Sequence, residues 1–212
     1  KKKNKSNIVS LTAYSKNIAK ILDKYCDIIL VGDSMANVLY GLDSTHKISL
    51  TTIIQHSLSV KKGVRKSLLV IDMPKGTYDN KKQAKKNAKI IINSTKCDAV
   101  KLESNNRNFD IIKDLVKAKI PVMGHIGYTP QFKRKFKIEG GTIKKTKKLL
   151  KEAKLVEKAG AFSIVLECIA PSTSKLITSE LKIPTIGIGS SVNCDGQILV
   201  TDDMIGMSGF YP

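Results

Sequence analysis

Four carboxylates in this chain each close a short apolar run. Asp33 follows Ile28-Ile29-Leu30-Val31-Gly32, and Asp72 follows Leu68-Leu69-Val70-Ile71. Glu103 ends Ala99-Val100-Lys101-Leu102, and Glu167 ends Ser163-Ile164-Val165-Leu166. A continuous apolar run of this length reads as a strand buried on both faces. A carboxylate at its end needs a cation, a metal or hydrogen-bond donors, because burying it alone is costly. Taken singly, each acid reads about equally well as a lysine partner or a helix cap. Taken together, converging acids repel one another unless a metal or a proton lies between them.

Carboxylates without a Cys or His majority suit a hard cation such as Mg²⁺. Asp33 and Asp72 are the first ligand candidates and Glu103 is the third. Lys101 stands two residues before Glu103, so both point to one face of the strand. If that face is interior, Lys101 needs an anion, and a substrate carboxylate would serve. The alternative is that both face outward and pair there. Glu167 closes an especially apolar strand and is the candidate general base. His125, after Gly124, is a candidate hydrogen-bond donor to substrate, although a strand histidine serves structure as often. His46, in a loop, and His56, in a helix, carry less signal. Cys168 beside Glu167 could be a nucleophile, but a small apolar filler is the preferred reading. Metal, interior lysine and isolated Glu point to enolate chemistry on a 2-oxo acid, with the metal chelating carboxylate and ketone oxygens and stabilising the enolate.

The elements that must position these groups alternate regularly. Strands are expected over 8–14, 27–33, 67–72, 99–103, 121–127, 161–167 and 184–189, with an eighth at 204–207. Helices are expected over 15–25, from 51 to Gly63, after Asn80 to about 95, over 109–117, 142–159 and 171–181. Seven alternations of strand and helix are the signature of parallel βαβ units. Acids at the C-terminal ends of several different strands favour a (β/α)8 barrel over an open sheet, because barrels build their sites at those ends. No G-x-G-x-x-G follows the first strand, and Gly187-Ile188-Gly189 is weak as a motif.

The bulk properties set outer bounds. A length of 212 residues suits one domain with a substantial core. No apolar run is long enough to span a membrane, and the basic start Lys1-Lys2-Lys3-Asn4-Lys5 lacks the apolar segment of a secretory signal. The net charge of +19 could mark a nucleic-acid binder. The blander reading is a Lys-rich composition with solvated helix faces such as Lys81, Lys82, Lys85, Lys86 and Lys89. No basic–aromatic interleaving suited to base stacking stands out, so no nucleic-acid partner is expected. The four cysteines, Cys26, Cys97, Cys168 and Cys194, form no C-x-x-C and fit a reducing, cytoplasmic compartment.

Several collinear motifs carry a resemblance. They are Val31-Gly32-Asp33-Ser34, Gly41-x-Asp43-Ser44-Thr45, Asp72-Met73-Pro74, Val100-Lys101-Leu102-Glu103, Gly124-His125-Ile126-Gly127-Tyr128-Thr129-Pro130-Gln131, Leu166-Glu167-Cys168, Ile186-Gly187-Ile188-Gly189 and Asp195-Gly196-Gln197-Ile198-Leu199-Val200. With them the chain resembles the ketopantoate hydroxymethyltransferase family over nearly its whole length. The resemblance implies a (β/α)8 TIM barrel of the phosphoenolpyruvate/pyruvate type, as a single domain over 1–212. It implies hydroxymethyl transfer from 5,10-methylenetetrahydrofolate to 3-methyl-2-oxobutanoate, giving 2-dehydropantoate for pantothenate and coenzyme A. It places Mg²⁺ on Asp33, Asp72 and Glu103, the oxo acid on Asp33, Ser34, Asp72 and Lys101, and the proton acceptor at Glu167. A homo-oligomer, in the family a decamer built as a pentamer of dimers, is implied as well. Ser15, Ser190-Ser191 and Lys75 depart from the family pattern. The chain also stops at Gly209-Phe210-Tyr211-Pro212, near the eighth strand, so a C-terminally shortened barrel without the last helix is expected. A related barrel lyase or mutase, and a non-enzymatic basic binding protein, are the alternatives.

Overall fold

The computed structural model describes residues 6–104, 108–133 and 135–209. The basic start at 1–5, Arg107, Arg134 and the end Phe210-Tyr211-Pro212 lie outside the described residues. Along the chain run β1 (Ile8–Thr12), α1 (Lys16–Leu22), β2 (Ile28–Val31), α2 (Met35–Val38), a 3₁₀ turn (Thr45–Lys47), α3 (Leu50–Lys61), β3 (Leu68–Asp72) and α4 (Lys81–Thr95). Then come β4 (Ala99–Glu103), α5 (Phe109–Lys117), β5 (Val122–Gly127), α6 (Ile143–Lys158), β6 (Ser163–Glu167), α7 (Pro171–Glu180), β7 (Thr185–Ile188), β8 (Gly196–Leu199) and α8 (Thr201–Met204). The eight strands close in sequence order as a barrel, so the fold is (β/α)8. No helix among the described residues is long and apolar enough to cross a membrane.

The chain divides into two compact units, residues 9–100 with 198–212, and residues 1–8 with 101–197. In the first, β1 pairs in parallel with β2 and β2 with β3, with Ser10 beside Ile28 and Val31 beside Ile71. The core is built on the fully buried Ile29, Ile53, Leu69, Ile71 and Ile91. Helix α4 begins where the Asn80 side chain accepts the N–H of Gln83 at 2.9 Å, and α3 where Ser49 Oγ accepts that of Thr52 at 3.0 Å. Each such cap contributes about 1 kcal/mol. Ala84, Ala88 and Ile91 turn α4 inward, and Lys81, Lys82, Lys85, Lys86 and Lys89 are all exposed, as a solvated face should be. Thr201 joins this unit to its first strand. Its N–H donates to Thr12 Oγ1 at 3.0 Å and its hydroxyl to the Thr12 carbonyl at 2.6 Å.

In the second unit β5, β6, β7 and β8 pair in parallel. Leu102, Ile112, Leu115, Met123 and Ile126 are among its fully buried side chains. The Thr142 side chain caps α6 by accepting the N–H of Lys145.

Two expectations are corrected. The eighth strand is Gly196–Leu199, not 204–207. Residues 201–204 instead form α8, with Asp202 and Asp203 in its first turn, where the helix dipole favours acids. Gly206, at φ +76°, then breaks any extended run, and Met204 and Met207 are exposed. The connection 35–50 is also more regular than expected, holding α2 and the 3₁₀ turn, whose start is capped by Ser44 Oγ accepting the N–H of His46.

Asp23, just past α1, ties that helix to the segment entering β3. Its buried carboxylate accepts the N–H groups of Lys66 and Ser67, each at 2.9 Å. Burial would raise its pKa, but these donors outweigh burial and hold the carboxyl below its ordinary range. A depressed carboxyl stabilises the fold fully above the unfolded-state value of about 3.9 and loses that contribution as pH falls through the lower folded-state value. Asp23→Asn is therefore expected to cost about 2 kcal/mol at neutral pH by urea denaturation. The gap to the parent should narrow as pH drops below about 4; a gap that does not depend on pH would refute the assignment.

Candidate active site

In the unit of residues 9–100, β2 ends in Gly32-Asp33-Ser34 and β3 ends in Asp72. A Cβ on Gly32 would stand 2.8 Å from Ser34 Oγ and 3.4 Å from Asp72 Oδ2, so only glycine leaves this corner open. The Asp33 N–H donates to Asp72 Oδ2 at 3.1 Å, and both acids are buried. Ser34 Oγ lies 2.8 Å from Tyr14 Oη. Burial, opposed in part by that hydrogen bond, pushes the Tyr14 phenol well above its ordinary range, so the group stays protonated.

Behind Tyr14 stands His56. Its Nδ1 is 2.8 Å from the Tyr14 carbonyl and its Nε2 is 2.9 Å from Tyr40 Oη. With Nδ1 donating to the carbonyl and Nε2 at hydrogen-bond distance from the phenol, His56 links two tyrosines. It is therefore better placed than a helix histidine read from sequence suggests. His46 is half-buried, with Lys75 Nζ 3.1 Å from its Nδ1.

Donor chemistry decides whether a cation fits here. Two buried carboxylates at adjacent strand ends offer hard oxygen donors, as Mg²⁺ prefers. Among the described residues no three His, Cys, Asp or Glu side chains make a complete ligand cluster. Mg²⁺ commonly takes one or two carboxylates and completes its shell with water and substrate oxygens, so the Asp33–Asp72 pair fits it.

In the other unit, a Cβ on Gly124 would run into Val156 of α6, so Gly124 faces the helices. His125 therefore faces the opposite, inner side. Its Nδ1 is 3.9 Å from Glu103 Oε1 and its Nε2 is 3.1 Å from Glu167 Oε2. Glu103 thus faces inward, and Lys101, two residues earlier and buried, faces inward with it. The outward alternative is set aside. Glu103 Oε2 also accepts the N–H of Gln131 at 3.0 Å, and the Glu103 carbonyl accepts from Asn108 Nδ2 at 2.7 Å. Gln131 carried signal only through the resemblance, and Asn108 carried none. Glu167 is partly open, its side chain 20% exposed, so one face can meet a ligand while the other meets His125.

Cys168 follows with a left-handed φ of +51°, strain on the order of 1 kcal/mol for a side-chain-bearing residue. Burial, and then the neighbouring Glu167 charge, push its thiol up to about 11. The thiolate is the reactive form, so a thiol raised in this way favours the filler reading over the nucleophile.

The eight parallel strands and their helices form a (β/α)8 barrel. A phosphonopyruvate hydrolase solved with oxalate and Mg²⁺ shares the fold with a TM-score of 0.73 at 11% identity, covering 96% of this chain and 78% of its own. So does 2,3-dimethylmalate lyase, with a TM-score of 0.71 at 13% identity over 95% and 78%. At the level of sequence, the profile of ketopantoate hydroxymethyltransferase matches residues 1–212. The chain is 58% identical to the 3-methyl-2-oxobutanoate hydroxymethyltransferase of Pelagibacter ubique, covering 98% of this chain and 81% of the relative. It is 47% identical to that of Anaplasma marginale, over 100% and 77%. The chain belongs to the ketopantoate hydroxymethyltransferase family.

With its pKa near 11, Cys168 should resist iodoacetamide in the folded protein at neutral pH and react only in strong base or after unfolding. Rapid modification at neutral pH, followed by peptide mass spectrometry, would restore the nucleophile reading.

Proposed function

We propose that this chain transfers a hydroxymethyl group from 5,10-methylenetetrahydrofolate to C3 of 3-methyl-2-oxobutanoate, giving 2-dehydropantoate. The observation that carries the reading is Glu167, held on one side by His125 Nε2 at 3.1 Å and open on the other. Water first releases the one-carbon unit from the folate as formaldehyde: both C–N bonds break, the two nitrogens take the hydrogens of the water, and tetrahydrofolate leaves. Glu167 takes the C3 proton, the electron pair left at C3 adds to the formaldehyde carbon, and the C=O pair moves onto oxygen, which takes the proton back from Glu167 to become the new hydroxyl. His125, with Nε2 3.1 Å from Glu167 Oε2, orients that carboxylate. Lys101 is buried and inward, and by family resemblance it and Ser34 are among the residues that would bind the oxo-acid carboxylate.

Asp33 and Asp72, with Glu103 as the third carboxylate by family resemblance, would hold Mg²⁺, which when bound supplies positive charge opposite the substrate oxygens where negative charge develops. Tyr14 fixes the Ser34 hydroxyl, and the Asp33 N–H fixes Asp72. By the same resemblance the protein acts in the cytoplasm as a homo-oligomer in pantothenate and coenzyme A biosynthesis.

Purified protein with Mg²⁺ is expected to exchange the C3 proton of 3-methyl-2-oxobutanoate for deuterium without folate, as followed by NMR. Glu167→Gln should slow that exchange by about 10³-fold, and exchange at the parent rate would remove Glu167 as the base. Asp72→Ala is expected to weaken Mg²⁺ binding at least tenfold by calorimetry, whereas unchanged affinity would take Asp72 out of the metal shell.

A further inference from the structure

The corner that carries Glu167 is clamped by a loop from the neighbouring strand. At one end of the loop, Gly127 is at φ +100°, and a Cβ there would collide with the Glu167 carbonyl, so β5 closes directly against that residue. The next N–H, that of Tyr128, donates to the Glu167 carbonyl at 2.8 Å. At the other end, the Glu139 N–H donates to the Cys168 carbonyl at 2.8 Å, and the Glu139 carbonyl accepts from Ala170 at 2.8 Å. Glu167 and Cys168 are therefore gripped by the two ends of one segment.

One side chain joins those two ends. Lys133 Nζ donates to the Gly127 carbonyl at 2.6 Å and to Glu139 Oε1 at 2.7 Å. Both partners are partly open to water, and an ion pair of that kind adds little stability by itself. Its effect is geometric. It bridges the two ends of the segment that grips Glu167 and Cys168.

We propose that Lys133 is a positioning residue for Glu167, acting through the Gly127 carbonyl and Glu139 rather than by touching substrate. The proposal rests on Glu167 being the base. Losing the strap lets the Glu167–Cys168 corner relax, which lowers the rate of proton removal and leaves the binding of oxo acid and Mg²⁺ unchanged.

The test combines amide hydrogen exchange with C3 deuterium exchange on the full chain with Mg²⁺. Lys133→Met is expected to speed exchange of the Tyr128, Cys168 and Glu139 amides at least tenfold while those of α4 stay as in the parent. It should lower kcat for C3 exchange about tenfold with KM for the oxo acid unchanged, and Lys133→Arg should restore both. If α4 also loosens in Lys133→Met, the milder Glu139→Gln takes its place with the same expectation. Unchanged amides at the corner overturn the strap whatever the activity does, and loosened amides with an unaltered kcat overturn its positioning role. Absence of C3 exchange in the parent would instead fail the transferase reading, and the amides alone would then decide whether Lys133 holds the corner.

Discussion

His125 and Glu167 meet because β5 and β6 are locked in one register. His125 stands beside Val165 and Gly127 beside Glu167, with the Phe162 N–H donating to the Val122 carbonyl at 3.0 Å where the pair begins. Side chains alternate across a strand, so a slip of one residue would turn His125 toward α6 and bring Gly124 inward. Everything read from this half of the chain depends on that pairing: the inner face of β4, the orientation of Lys101, and the second partner of the imidazole in Glu103. A buried imidazole between two carboxylates is poor material for stability, since desolvation offsets much of the attraction. The apolar strands and their backbone ladders hold the fold, and the polar residues at their ends are carried by it.

The other half is organised differently. Asp33 and Asp72 are held mainly through backbone, an N–H of one residue on the carboxylate of the other, with glycine keeping the corner clear. Ser34 is reached through a phenol whose own backbone carbonyl meets His56. A hydroxyl held 2.8 Å from a buried phenol keeps a fixed position, which matters more for orienting a carboxylate than for binding strength.

The acids were legible in sequence because an apolar run ending in a charge is an unusual pattern with few physical explanations. Strand β4 and helix α5 are legible to the residue and α4 nearly so, through its Asn80 cap and the inward alanines and isoleucines of the two helices. The eighth strand was not. Gly-Gln-Ile-Leu is too short to show a period, and the Met-rich stretch after it has the composition of a strand but begins with two acids that start a helical turn. His56 carries little sequence signal because its partners lie 16 and 42 residues away. Lys133 was hidden in a basic loop where its neighbours look the same, and only the positions of Gly127 and Glu139 distinguish it.

Thr201 has a consequence for how the protein is made. It anchors Thr12 across 189 residues, so these two bonds cannot form until synthesis has reached residue 201. Ribosomes add about 5–20 residues per second, which leaves the first strand waiting roughly 10–40 s for its closing bonds. During that interval β1 is an open edge next to β2, and such an edge can pair with another nascent chain. Newly made chains, more than finished ones, are therefore where this barrel is most open to misassembly and most in need of a chaperone.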